Sequence, residues 1–410
     1  MPLDSIIRTL VLGSAVLAPG RAGAENWPAW RGPRGDGTSL EKSAPVHWSV
    51  GSNIAWKIEI PGVGHASPIV WDERIFMVTA LPETQERVVL CLDRHNGGIL
   101  WRKIVVSSPL ERKHSLNSYA SSTPATDGES VYVSFLDRNE IVVAAYDFEG
   151  NKKWVVRPGP FASMHGFCSS PLLHKDIVIV NGDHDGDSYL VALDRRTGTR
   201  VWRTPRQNKT RSYCAPIICE PDGRTQMVLS GDKCVASYDP RNGSLHWIID
   251  GPTEQFVASP VYSARANLLF ITGGYPDHHI LAIKPNGQGN VTRTHIAWRT
   301  NKGVAYVPSP IVEGDLFLIV SDSGVAHCFK AETGELLWQE RLGEQHASLV
   351  SANALVYFLN DGGVAHVVKP GPEFQVVARN EIHEKCFASP AISKGQIFLR
   401  GEQHLFCVGK

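Results

Sequence analysis

The sequence predicts an all-β protein, an eight-bladed β-propeller of four-stranded antiparallel blades, closed by pairing an N-terminal strand with the last blade. Three observations predict it. Trp56, Trp101, Trp154, Trp202, Trp247, Trp298 and Trp338 recur at intervals of 45, 53, 48, 45, 51 and 40 residues. A small residue followed by Pro recurs out of phase with them, and the segments between read as short strands with no amphipathic helix.

The first residues have the form of a targeting segment. Arg8 precedes the apolar run 9–18, and Ala22-Gly-Ala24 follows Pro19 and Gly20. This is the pattern of a secretory signal peptide, with cleavage expected after Ala24. The run is about half the ~20 residues that span a bilayer, and no later stretch is long enough to do so. No Cys follows the run, so no bacterial lipid anchor is expected. The expected location is periplasmic or extracellular. Residues 25–53 are expected to be an extension packing on a propeller of residues 54–410.

Each repeat then justifies itself in turn. Leu92-Asp-Arg-His-Asn-Gly-Gly-Ile-Leu-Trp101 and Leu193-Asp-Arg-Arg-Thr-Gly-Thr-Arg-Val-Trp202 show the form, and Tyr146–Trp154, Tyr238–Trp247 and Phe329–Trp338 repeat it. Asp opens a hairpin turn, Gly supplies its positive φ, and Trp lies on the strand that follows. The second mark appears as Ser67-Pro68, Thr123-Pro124, Ser170-Pro171, Ala215-Pro216, Ser259-Pro260, Ser309-Pro310 and Ser389-Pro390. Ala347-Ser348-Leu349 fills the remaining place, which makes eight units. In the first unit the strands are expected at 67–71, 74–79, 87–92 and 98–103. The last unit, 387–408, holds only three. The segment 54–60 has the character of the missing fourth, and pairing it there hides the open edges.

Composition narrows the function. The 410 residues carry 41 Lys+Arg against 41 Asp+Glu, so the net charge is zero and a nucleic-acid surface lacks its electrostatic support. Apolar residues make up 42%, enough for a large core. The eight Cys do not read as a disulfide framework. Cys91, Cys328 and Cys407 align with Ala145, Ala192, Ser237 and Ala282, a place that takes a small residue. One pair among Cys168, Cys214, Cys219, Cys234 and Cys386 stays open. No Cys-x-x-Cys or Cys-x-x-Cys-His occurs.

The Asp-x-x-x-Gly-x-x-x-Trp turns and Ser-Pro strands resemble the pyrroloquinoline quinone (PQQ) type propeller repeat over roughly 48–410. That repeat builds quinoprotein dehydrogenases and the BamB-type scaffold of outer-membrane protein assembly. Trp27-Pro-Ala-Trp-Arg-Gly-Pro-Arg-Gly-Asp-Gly37 resembles an N-terminal signature of secreted propellers of planctomycete-type bacteria. For a dehydrogenase the resemblance implies an adjacent Cys pair stacked on the quinone, calcium held by Glu and Asn, and an Asp base. No Cys-Cys pair occurs here, and no Gly-x-Ser-x-Gly, phosphate loop or His-Glu-x-x-His either.

A site is expected where the loops enter the channel. Before the Ser-Pro marks stand His65, Tyr119, His165 with Phe167, Tyr213, Phe256, Tyr306, His346 and Phe387. They would either plug the axis or form an aromatic funnel for a flat ligand or a partner residue. The expected contacts are His65, Tyr119, His165, Phe167, Arg211, Tyr213, Tyr306 and His346, with Arg supplying charge and the rings stacking. Gly182-Asp-His-Asp-Gly-Asp187 places Asp183, Asp185 and Asp187 at alternate positions, a weak match to a calcium loop. Asp277, His278 and His279 lie in a similar loop, but adjacent His on a strand face opposite ways.

The sequence therefore reads as an exported, non-catalytic binding or scaffold module, monomeric, with a protein or polysaccharide partner and no cofactor. Its alternatives are a PQQ- and Ca²⁺-dependent sugar or alcohol dehydrogenase, and a scaffold that adds strands to partners during outer-membrane protein assembly.

Overall fold

A computed structural model describes residues 24–409. The expected signal peptide falls almost wholly on 1–23, outside the described residues. Eight antiparallel sheets follow one another round a ring: residues 69–107, 125–160, 172–205, 217–250, 261–300, 311–341, 350–381 and 391–408, here blades 1 to 8. Blade 8 takes its fourth strand from Ile54–Glu59, which pairs with His404–Val408. Blade 4 gains a fifth, short strand, because Gly289–Asn290 from blade 5 runs parallel beside Leu245–Asp250. Among the described residues the one helical element is a 3₁₀ turn at Pro221–Gly223. No helix of the described residues is long and apolar enough to cross a membrane.

The repeated Trp explains itself by a bond to the next blade. Trp56 Nε1 donates to Arg94 O, Trp101 to Phe148 O, Trp154 to Arg195 O, Trp202 to Pro240 O, Trp247 to Pro285 O, Trp298 to Ala331 O and Trp338 to Gly371 O, all at 2.8–3.1 Å. Each indole thus caps the turn of its neighbour and satisfies a carbonyl there. The turn glycine must be bare for this. A Cβ on Gly198 would lie 2.8 Å from the Trp154 ring, and the residue has φ +73. Blade 7 has Ala378 where the others have Trp. Its neighbour, blade 8, has no third-to-fourth turn to cap, since its fourth strand comes from the other end of the chain.

The small residue opposite each Trp has the same origin. Cys91 pairs with Trp101, Cys328 with Trp338, Cys407 with Trp56 and Ala145 with Trp154 across the strands. The indole crosses that position, so only a small side chain fits beneath it. All eight Cys are free thiols, so no pair forms among Cys168, Cys214, Cys219, Cys234 and Cys386.

The Ser-Pro mark links blades round the axis. The backbone N–H of Ser67 donates to Thr123 Oγ1, Thr123 to Ser170 Oγ, Ala215 to Ser259 Oγ, Ser259 to Ser309 Oγ, Ser309 to Ser348 Oγ and Ser348 to Ser389 Oγ, at 2.9–3.0 Å. Because these N–H groups bond sideways, the first strand of blade 1 starts at Ile69 rather than at 67. Ala215 has no hydroxyl, which leaves a gap in this ring between blades 3 and 4.

Residues 24–53 cross one end of the channel. Trp27 exchanges two backbone bonds with Val70 of blade 1, while Gly37 O and Ser39 N bond Ser351 of blade 7. Between them Arg31 is buried against blades 6 and 7. Its guanidinium donates to Leu349 O (2.7 Å), Asp36 O (2.6 Å) and Pro310 O. Trp30 lies beside it and forms part of the floor of the cavity on the other side.

Candidate functional site

The channel opens on the opposite face as a cavity of ≈ 520 Å³. Its wall is built from one position per blade, three residues before the Pro: His65, Ser121, Cys168, Tyr213, Val257, Val307, His346 and Phe387. Four of these eight are aromatic or His, so the ring is mixed. Loop residues His114, His165, Arg211, Gln255, Tyr306 and Asp322 complete it.

Of the residues expected from the sequence, His65, His165, Arg211, Tyr213, Tyr306 and His346 line this cavity. Tyr119 and Phe167 do not. Tyr119 packs on blades 1 and 2 with Lys113 Nζ 5.1 Å from its ring centre, and Phe167 is buried edge-on against Phe161 at 5.2 Å. Phe256 also turns into the core, under Gly273. All three sit one or two residues away from the position that faces the axis. Trp30 and His114 were missed because they belong to no repeat; Asp322 was missed although Asp361 matches it in blade 7, where it likewise accepts the backbone N–H of a wall residue, His346. A fixed count from the Pro would have found the wall residues.

The alternating Asp residues do not form a calcium loop. Asp183 pairs with Arg206 (2.9 Å), Asp185 with Arg211 (2.9 Å) and Asp187 with Lys209 (2.8 Å). The loop of blade 3 is thereby zipped to residues 206–211, which lead into blade 4. Successive Asp side chains point to separate cations and cannot converge on one ion. Burial pushes the Asp183 carboxyl up, and the two-point contact with Arg206 and a hydrogen bond from Ser212 Oγ work against that rise. Among the described residues no three His, Cys, Asp or Glu side chains converge as metal ligands, and Asp277, His278 and His279 are no exception.

The calcium–quinone set implied by the resemblance does not fit this cavity. Asp322 is the one carboxylate in its lining, and its two oxygens accept the N–H groups of Tyr306 (2.7 Å) and Val307 (3.1 Å). Gln255 Oε1 accepts the Tyr306 hydroxyl (3.0 Å), and Asn117 Oδ1 accepts Ser121 Oγ (2.6 Å). The oxygen donors are spent inside the protein. Cys168 is the only thiol in the wall, and burial pushes its pKa up to about 12.

The histidines are shifted in opposite directions by their surroundings. Burial, with Arg400 and Lys113 nearby, pushes His65 down to about 4. Burial, Arg211 and His114 lower His165, whose Nδ1 lies 2.9 Å from the Tyr213 hydroxyl. For His346 burial also opposes the cation, but Asp361, 2.6 Å from Nδ1, outweighs it and the pKa rises. A His with a raised folded pKa stabilises fully below its unfolded value, about 6.5, and loses that contribution as pH rises through the folded value. His346→Gln is therefore expected to destabilise more at pH 6 than at pH 9 in urea unfolding. Equal losses at both pH values would show that Asp361 does not hold a charged imidazole.

Comparison with known proteins places the chain. The family described as outer membrane protein assembly factor BamB matches residues 85–275 and 276–369. An outer membrane protein assembly factor BamB from Moranella endobia (strain PCIT) is 22% identical over 278 residues, 67% of this chain and 64% of its own length. The chain thus spans less than two thirds of that relative. The crystal structure of BamB from Moraxella catarrhalis is similar with a TM-score of 0.60 at 14% identity, covering 86% of this chain and 96% of that one. Quinohemoprotein alcohol dehydrogenase from Comamonas testosteroni gives 0.62 at 12%, covering 95% and 82%. At these identities the two structures speak for the fold alone. The eight blades, the Trp-capped turns and the family match agree, and the chain belongs to the PQQ-repeat propeller family of outer membrane protein assembly factor BamB.

Proposed function

We propose that the protein is a non-catalytic, exported binding or scaffold module that holds a protein partner at the channel face. The carrying observation is the rim. Leu116 (48% exposed), Met164 (47%) and Tyr275 (56%) are large apolar side chains left in solvent round the mouth of this cavity. Exposed apolar side chains gathered at a concave site mark a docking surface. Export with cleavage after Ala24, residues 25–53 as an extension of the 54–410 propeller, and action as a monomer belong to the same reading. A second reading, a scaffold in outer-membrane protein assembly, is favoured by the family match.

The test is site-specific photo-crosslinking in the cell envelope. A photoreactive residue at Met164 is expected to capture a protein, while one at Val376, exposed on the outer strand of blade 7, is not. Capture from Val376 alone would move the working surface to the blade edges. A barrel-assembly component as the captured protein would select the second reading.

A further inference from the structure

The cavity is unequal in its hydrogen-bonding groups. Its single carboxylate, Asp322, is occupied by two backbone N–H groups. Its donors are not all used. Arg211 gives Nη1 to Asp185 at 2.9 and 3.0 Å, yet its buried Nε has no acceptor among the described residues. His346 engages Asp361 through Nδ1, and its Nε2, unengaged, adds a second donor when the ring is the imidazolium that Asp361 favours.

Two further charges stand just behind the wall. Arg31 is buried under Trp30 with carbonyl oxygens as its hydrogen-bond partners; Asp36, the nearest acid, is held by Thr38. Arg400 is buried behind His65 and donates to Ala66 O (2.9 Å) and Val78 O (2.8 Å). Neither forms an ion pair with a carboxylate among the described residues, whereas Arg206, as deeply buried, does. Positive charge in a weakly screened interior acts over several ångströms, and the concave wall focuses it into the cavity. Trp30, Tyr306 and Phe387 supply flat apolar surface in the same space.

We infer that the group received by this cavity is a carboxylate carried next to a flat apolar body, the chemistry of an acidic residue beside an aromatic one in the partner's inserted segment. The inference rests on the channel-face reading and adds the chemical class that the face selects. Arg211 meets the carboxylate, His346 adds positive character on another wall of the cavity, and the rings take the apolar part.

The test uses two probes of one shape, 2-naphthoate and its neutral amide, titrated calorimetrically into the full mature chain. The carboxylate is expected to bind at least tenfold more tightly than the amide. Arg211→Gln should reduce that preference to about twofold. Asp322→Asn should raise naphthoate affinity several-fold, a gain that misfolding cannot produce. Equal affinity for the two probes overturns the charge inference and leaves the docking reading standing. Binding of neither probe overturns it too, while the docking reading is judged separately by capture from Met164. Naphthoate, and not the amide, should also suppress that capture.

Discussion

Arg31→Ala is expected to destabilise the protein by at least about 3 kcal/mol in urea unfolding. The guanidinium satisfies the carbonyls of Leu349, Pro310 and Asp36, and each buried acceptor left without a partner costs about 1–3 kcal/mol. The backbone is committed to this contact as well. Arg31 has φ 69, a left-handed value that costs a non-glycine residue about 1 kcal/mol or more. Gly37 must stay bare, since a Cβ there would lie 2.8 Å from the Arg31 guanidinium carbon. Arg31→Lys should recover only part of the loss, because an ammonium on a flexible stem does not reproduce the planar fork. A loss under 1 kcal/mol in the alanine variant would mean that water replaces the side chain at these carbonyls.

Asp183→Ala is expected to cost about 3–5 kcal/mol, the usual result of breaking a buried ion pair by removing one partner. Arg206 would keep its bonds to Gly231 O (2.9 Å) and the Tyr238 hydroxyl but lose both contacts to a carboxylate. Asp183→Asn should lose nearly as much, which separates charge from shape. Asp187→Asn, at the exposed end of the same zipper, should change little. The double variant Asp183→Asn with Arg206→Met should be less damaging than the sum of the two single changes. Additive losses would show that the pair is not coupled.

Most of the fold was legible because a propeller repeats its physics. Each Trp caps a neighbour's turn, most Ser or Thr residues before Pro accept a neighbour's N–H, and both leave a periodic mark. Even the absence of a Trp from blade 7 is a reading of where the ring closes. The site was less legible for the opposite reason. Trp30 and Arg31 act by crossing the ring, and no period marks them. Tyr119 and Phe167 answer to residue type alone, and a shift of one or two places along the chain buries Phe167 in the core and lays Tyr119, half-buried, against blades 1 and 2. The Asp alternation at 183–187 is periodic, but its cause is the cations at 206, 209 and 211, which lie beyond the reach of a local motif.

The closing strand has a consequence for assembly order. Ile54 pairs with Val408, and Gly409 N–H bonds Asn53 O, while the other blade strands find partners close by in sequence. A chain that emerges from its N-terminus can form blades 1 to 7 hairpin by hairpin as they appear. The segment 54–59 then waits, unpaired, until the last residues arrive. During that wait the incomplete ring shows two strand edges to its surroundings. Closure is thus a late and collective event, and a chain interrupted just short of its end would be sticky rather than merely incomplete.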